Sequence, residues 1–163
     1  MAEVSVIVLA GGKSRRLSVD KALLELDGEL LLQRIVHSVG TISDDLLVVG
    51  NEREELAHVS ARIVPDAWPG AGPLGGVYSG LQAMLHWHGL VVACDMPLLN
   101  LELLRYMVTL SEGFDVVIPR IGEKTEPLHA IYSKACLQPI ESLLHRGELR
   151  IIGFLSQGRV RFV

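Results

Sequence analysis

Val4-Ser5-Val6-Ile7-Val8-Leu9-Ala10, followed by Gly11-Gly12-Lys13-Ser14-Arg15-Arg16-Leu17-Ser18-Val19-Asp20-Lys21, decides the fold class of this chain. The first seven residues are apolar with a single serine, the pattern of a parallel strand buried on both faces. The run stops at a glycine pair, where the backbone carries no β-carbons. Four cations follow closely: Lys13, Arg15, Arg16 and Lys21. A solvated basic turn would account for them, but the chain as a whole has a net charge of −4. Paired glycines that let N–H groups approach an anion, with cations to neutralise it, fit position and density better.

Outward from this segment, strand-like and helix-like stretches alternate. Leu30–Val39 has helical apolar spacing, and Leu46–Val49 is a short strand ended by Gly50-Asn51. Arg62–Val64 is another strand, ended by Pro65-Asp66. The spacing predicts a helix over Leu74–Trp87, closed by Gly89 as a C-cap. Leu90–Cys94 is an apolar strand that runs into Asp95-Met96-Pro97. Asn100 is the expected N-cap of a helix over Leu101–Leu110. A strand over Phe114–Ile118, one over Ala130–Tyr132, a helix over Ser133–His145 and a final strand in Gly158–Val163 complete the series. Alternation of this kind gives an α/β fold with a mainly parallel sheet.

Composition agrees. The 163 residues are 49% hydrophobic and 21% charged but only 5% aromatic, so the core is aliphatic, as in sheets covered by helices on both faces. One domain spanning 1–163 is expected, with no linker or repeat. The acidic balance and pI near 5.8 argue against nucleic acid as a partner. No apolar stretch suits a membrane span or a signal peptide. Two cysteines, Cys94 and Cys136, make neither a disulfide framework nor a metal spacing, and a reducing cytoplasm is the expected compartment.

Ligands of such sheets sit at the carboxyl ends of the strands. Gly11-Gly12, Asp66, the glycine-rich segment Gly70–Gly76 and Asp95 all follow strand candidates closely. Gly12-Lys13-Ser14 imitates the end of a Walker A loop, but Ile7 stands where the motif needs its first glycine. Gly70-Ala71-Gly72-Pro73-Leu74-Gly75 fits the letters of a dinucleotide fingerprint, yet it comes mid-chain and carries Pro73. A plain surface loop and a loop that holds a base or ribose both remain open for it. Asp95 suits either a helix N-cap or a hard oxygen ligand for Mg2+ bridging a nucleoside triphosphate, and the cationic loop on the same edge favours the metal. Lys21 beside Asp20 is either a surface ion pair or a point charge for phosphate. His86-Trp87-His88 points its two imidazoles apart and reads as structural. Glu126-Pro127-Leu128-His129 is ordinary structure or a polar edge for a second substrate.

The set Leu9-Ala10-Gly11-Gly12-x-Ser14-x-Arg16-Leu17-x-x-Asp20-Lys21, with Gly72-Pro73-Leu74-Gly75-Gly76, Cys94-Asp95-Met96-Pro97 and Glu126-Pro127-Leu128, resembles the molybdenum cofactor guanylyltransferases, the MobA family. Weaker likeness continues through Leu137 and Ile140-Glu141, so that nearly the whole chain is covered. Leu-Ala-Gly-Gly resembles the guanylyl-transferring members, whereas cytidylyl-transferring relatives tend to have Leu-Ala-Ala-Gly. The resemblance implies a Rossmann-like three-layer sandwich of the nucleotide-diphospho-sugar-transferase type. It implies Mg2+-dependent transfer of GMP from GTP to the terminal phosphate of molybdenum-loaded molybdopterin, with release of pyrophosphate. By the same likeness Leu9, Ala10, Gly11 and Gly12 line the guanine and phosphates, Lys21 contacts phosphate and Asp66 lies at the nucleotide. Gly72 and Gly75 belong to a loop closing over the nucleoside, and Asp95 holds Mg2+. Arg16, Lys21 and Asp95 form the expected catalytic set, and Glu126, Pro127 and His129 face the pterin. A monomer or weak homo-oligomer is expected, in transient contact with proteins that supply or accept the cofactor. Two positions depart from the family pattern. Leu17-Ser18 replaces its usual Met-Gly, and the chain ends at Val163, where the family continues into an Asn-x-Asn-Thr-Pro segment and a last helix.

Overall fold

The computed structural model describes residues 3–10, 24–50, 56 and 59–163. Strand β1 (Val4–Leu9) lies at the centre of a seven-stranded sheet. On one side of it are β4 (Leu46–Val49) and then β5 (Arg62–Val64). On the other are β6 (His88–Ala93), β10 (His129–Ser133), β7 (Val116–Ile118) and β11 (Val160–Phe162). Every neighbouring pair is parallel except the two that involve β10. The mainly parallel α/β sheet read from the alternation is present.

Helices cover both faces. β1 is buried along its whole length and supplies both cores by alternation. Ile7 and Leu9 join a core with residues of α2 (Gly72–Ala83) and α4 (Leu137–His145). Val4, Val6 and Val8 join another with α1 (Leu31–Val39) and α3 (Leu101–Thr109). The result is a three-layer sandwich in which the five-residue strand β10 alone runs backwards.

Helix α2 lies unusually close to β1. A β-carbon added to Gly76 would come 3.2 Å from Leu9 Cδ2, and one added to Gly80 would be 3.0 Å from Ile7 Cδ1 and closer still to Cγ2. These two glycines are one helical turn apart on the face turned to the sheet. They give up helix propensity for backbone approach.

Several boundaries differ from those read in the sequence. The helix expected over Leu74–Trp87 begins at Gly72 and ends at Ala83, with Met84 already extended. Gly89 is therefore no C-cap. It lies inside β6, where an added β-carbon would sit 2.7 Å from Ile7 Cδ1. The helix expected from Ser133 starts only at Leu137, after a 3-10 turn over Lys134–Cys136, because Ser133 still belongs to β10. Two small hairpins had no apolar signature: β2 (Glu25–Leu26) with β3 (Glu29–Leu30), and β8 (Arg120–Ile121) with β9 (Lys124–Thr125).

At the amino edge, the polar groups are closed on themselves. Asp45 is buried and accepts from Ser5 Oγ (2.5 Å), Leu85 N–H (2.8 Å) and Arg62 (2.9 Å). His86 reaches Asp44 at 3.0 Å, while His88 reaches the Phe114 carbonyl at 3.0 Å. The two imidazoles point apart, as their spacing predicts.

Candidate active site

The carboxyl ends of four strands meet at one level. Leu9 pairs in register with Ala93 on one side and Val49 on the other, and Val49 pairs with Val64. Backbone hydrogen bonds carry the alignment one residue further: Cys94 N–H donates to Leu9 O (3.1 Å), Ala10 N–H to Val49 O (2.9 Å) and Gly50 N–H to Val64 O (3.0 Å). Beyond β1 the chain crosses to β4 and β5 on one side, then returns through α2 to β6 on the other. β1 thus borders the topological switch point, where open α/β sheets bind their ligands. Leu9 and Ala10 end at this point, buried. Gly11, Gly12, Arg16, Ser18 and Lys21 lie outside the described residues.

The segment after β5 reaches the same edge. Asp66 Oδ1 accepts from Trp68 N–H (2.9 Å), a turn closed by a side chain. Ser79 Oγ lies 3.2 Å from that oxygen and 2.8 Å from the Gly75 carbonyl, and it accepts from Ala67 N–H (2.9 Å). Part of the Asp66 carboxylate is thereby committed to shaping the turn. Gly72 and Gly75 do not sit in a loop, as their composition suggests, but in the first turns of α2. Gly72 has φ +63, which only glycine adopts without strain, and it starts the helix together with Pro73. A β-carbon on Gly75 would lie 2.9 Å from the Trp68 carbonyl, so the turn is folded tightly onto the helix. The first turn of α2 has no side-chain cap and no acidic residue. This end of α2 lies beside the end of β1, where Gly76 packs on Leu9, an arrangement suited to an anion.

Asp95 follows β6 by two residues and is exposed, at a turn in which Met96 N–H donates to Ala93 O (3.3 Å). It does not cap the next helix. Asn100 Oδ1 does so, accepting from Leu103 N–H at 3.0 Å. Among the described residues no group of three or more His, Cys, Asp and Glu could enclose a metal ion. The Asp95 carboxylate is the donor type that Mg2+ takes, and such an ion shared with phosphates keeps few protein ligands.

The fourth segment arrives through the backwards strand. Because β10 runs antiparallel, its first residue, His129, lies at the carboxyl edge, paired with Val92 of β6. His129 N–H donates to Glu126 O (3.2 Å), and Pro127 O accepts from the Tyr132 hydroxyl (2.7 Å). The His129 Nε2 atom is buried, with no hydrogen-bond partner among the described residues. Burial of the ring holds its pKa below the ordinary histidine value, against the opposing pull of Glu126, so the imidazole is neutral near pH 7. The structure thus gathers Leu9, Ala10, Asp66, the start of α2, Asp95 and the 126–129 segment at one edge. Ser79, Tyr78 and His145, which brace this edge, carry no local signal in the sequence; their partners are far along the chain.

Residues 6–160 match the family described as the MobA-like NTP transferase domain. A protein of Pelotomaculum thermopropionicum named probable molybdenum cofactor guanylyltransferase is 39% identical over the whole chain, which covers 80% of that relative. The molybdenum cofactor guanylyltransferase of Desulfosudis oleivorans is 34% identical, again over the whole chain and 82% of the relative. In fold, the chain is similar to molybdopterin-guanine dinucleotide biosynthesis protein A from Archaeoglobus fulgidus, with a TM-score of 0.84, 23% identity, and coverage of 98% of this chain and 83% of that one. On the extent of the match from the first strand to the last, the chain belongs to the MobA-like NTP transferase family.

Proposed function

We propose that this protein transfers GMP from GTP to the terminal phosphate of molybdenum-loaded molybdopterin. A phosphate oxygen of the acceptor bonds to the α-phosphorus of GTP, the bridging α–β P–O bond breaks, and pyrophosphate leaves with that electron pair. The observation that carries this reading is the 39% identity, end to end, with a relative named for that activity. The geometry of the carboxyl edge agrees with it: the buried end of β1 at Leu9, the helix N-terminus of α2 without a side-chain cap and the exposed Asp95 carboxylate lie at that edge.

In this reading Leu9, Ala10, Gly11 and Gly12 border the guanine and phosphates, and Gly72 and Gly75 shape the helix end beside the nucleoside. Asp66 fixes the turn at the nucleotide, Lys21 and Arg16 balance the triphosphate charge, and Glu126, Pro127 and His129 face the acceptor. Asp95 is the residue that would hold Mg2+. When bound, the metal supplies neutralisation of the charge that builds on the phosphates. Transfer between phosphates needs positioning and fixed charge rather than a protein nucleophile. A phosphate acceptor is already ionised, so no strong general base is required. Two buried cysteines, Cys94 and Cys136, suit a cytoplasmic setting.

The test is incubation with molybdenum-loaded molybdopterin, Mg2+ and GTP, CTP or ATP in turn, with products identified by mass. The guanine dinucleotide and pyrophosphate from GTP are expected. Product from CTP alone, or none from any nucleotide, refutes the assignment.

A further inference from the structure

Helix α4 stands outside the mouth of the site, yet two of its side chains are tied to the turn that leads into α2. Glu141 and His145 are one helical turn apart and project on the same side. The Tyr78 hydroxyl donates to Glu141 Oε1 at 3.1 Å. The His145 ring meets the Trp68 indole edge to face, with centroids 5.0 Å apart at 84°. Trp68 also stands edge to face against Tyr78, at 6.5 Å and 88°. Four side chains from α4, α2 and the turn after β5 thereby close into one chain of contacts.

Trp68 is the pivot of that turn. Its N–H is held by Asp66, its carbonyl accepts from Ala71 N–H at 3.1 Å, and the same carbonyl abuts Gly75. Beyond the packing of Trp68 against the core, the turn has two side-chain anchors. Ser79 holds it from α2 through Asp66 and Ala67, and His145 holds it from α4 through the indole. Without the second, the indole keeps its packing against the core but loses its edge-to-face contact with α4.

We propose that Glu141 and His145 are positioning residues for nucleotide binding, holding the Asp66–Gly72 turn through Tyr78 and Trp68. This rests on the proposed function, in which that turn borders the nucleotide. A turn held in its binding shape lowers the ordering cost paid on association. Loosening it acts on nucleotide affinity and leaves the transfer step alone once the nucleotide is bound.

Steady-state kinetics on the full chain separates the two. His145→Ala raises KM for GTP about fivefold, the size of one edge-to-face aromatic contact, with kcat and the acceptor KM within about twofold of wild type. His145→Phe, which keeps a ring against the indole, restores KM to within about twofold. Glu141→Ala raises KM about threefold, and Glu141→Gln, whose carbonyl still accepts from Tyr78, restores it. An unchanged KM in both alanine variants, or rises that the conservative variants do not reverse, overturns the proposal. Should wild type bind GTP without turning it over, the transferase reading fails and the positioning role is judged by affinity. Trp68 emission then reports binding in a Trp87→Phe background, since the chain has only two tryptophans and Trp87 is exposed on the opposite edge. The same pattern across the four variants is required. Absence of any GTP binding overturns both readings.

Discussion

Gly80 lies directly on Ile7: an added β-carbon would stand 3.0 Å from Ile7 Cδ1 and overlap Cγ2. Ile7 is fully buried in the middle of β1, so neither partner has room to withdraw. Gly80→Ala gains about 1 kcal/mol of helix propensity but incurs about 1–3 kcal/mol of overpacking, and the clash is against a β-branched side chain with little freedom. Net destabilisation is expected in urea unfolding. Combined with Ile7→Ala, the alanine at position 80 becomes less costly than in wild type, a coupling that a double-mutant cycle measures. Full additivity would mean that the helix sits further from the strand than this packing requires.

At the other edge of the sheet, Asp45 gathers three donors from different elements. Burial alone would raise its pKa, but the Leu85 N–H, the Ser5 hydroxyl and the Arg62 guanidinium together hold it below the ordinary 3.8. A carboxylate with a depressed folded pKa contributes stability that is complete above its unfolded value and is lost as pH falls through the folded one. Asp45→Ala leaves the Ser5 and Leu85 donors unpaired and lowers stability by about 2–4 kcal/mol at pH 7. The difference from wild type should shrink as the pH falls below 3.8. Urea midpoints for both proteins at pH 7 and across the acid range check this. A difference that stays constant with pH would exclude ionisation as its source.

Asp95 is exposed, and the helix that follows it is capped by Asn100. Asp95→Ala is expected to lower pyrophosphate release from GTP by about a hundredfold or more at saturating nucleotide, well beyond any change in its thermal midpoint. The response to added Mg2+ should flatten in the variant. Wild-type turnover in Asp95→Ala would remove this carboxylate from the site.

Much of this architecture was legible in the chain. The apolar run Val4–Ala10 and the run into Cys94 are strands because residues buried on both faces carry no polar alternation, and Asn100 caps α3 through a local hydrogen bond. The boundaries of α2 were not legible. Its glycines resemble loop signals and Gly89 of β6 resembles a cap, whereas Gly76, Gly80 and Gly89 answer to Ile7 and Leu9, far away in sequence. The site shows the same division. Asp95 and Asp66 are marked by their place after strands, but the turn that Asp66 stabilises depends on Ser79, thirteen residues later, which has no local signature. His129 was visible as a polar residue near a substrate edge; only the antiparallel register of β10 puts it opposite Val92.

That register also gives His129 an unusual standing, since its Nε2 is buried with no hydrogen-bond partner among the described residues. A buried polar atom left in this state costs about 1–3 kcal/mol relative to one that is satisfied. Replacing the ring by an apolar side chain of similar reach removes that cost, so His129→Leu should unfold at the same or a higher urea concentration than wild type. If the imidazole is kept for the acceptor, as the proposed function places it, the same variant loses acceptor affinity. KM for molybdopterin should rise about tenfold while KM for GTP stays within about twofold, the split expected for a contact made by one substrate only. His129→Asn, which retains a donor and an acceptor at a shorter reach, is expected to fall between the two. A variant both destabilised and unaltered in its acceptor KM would identify His129 as core structure with no part in substrate binding.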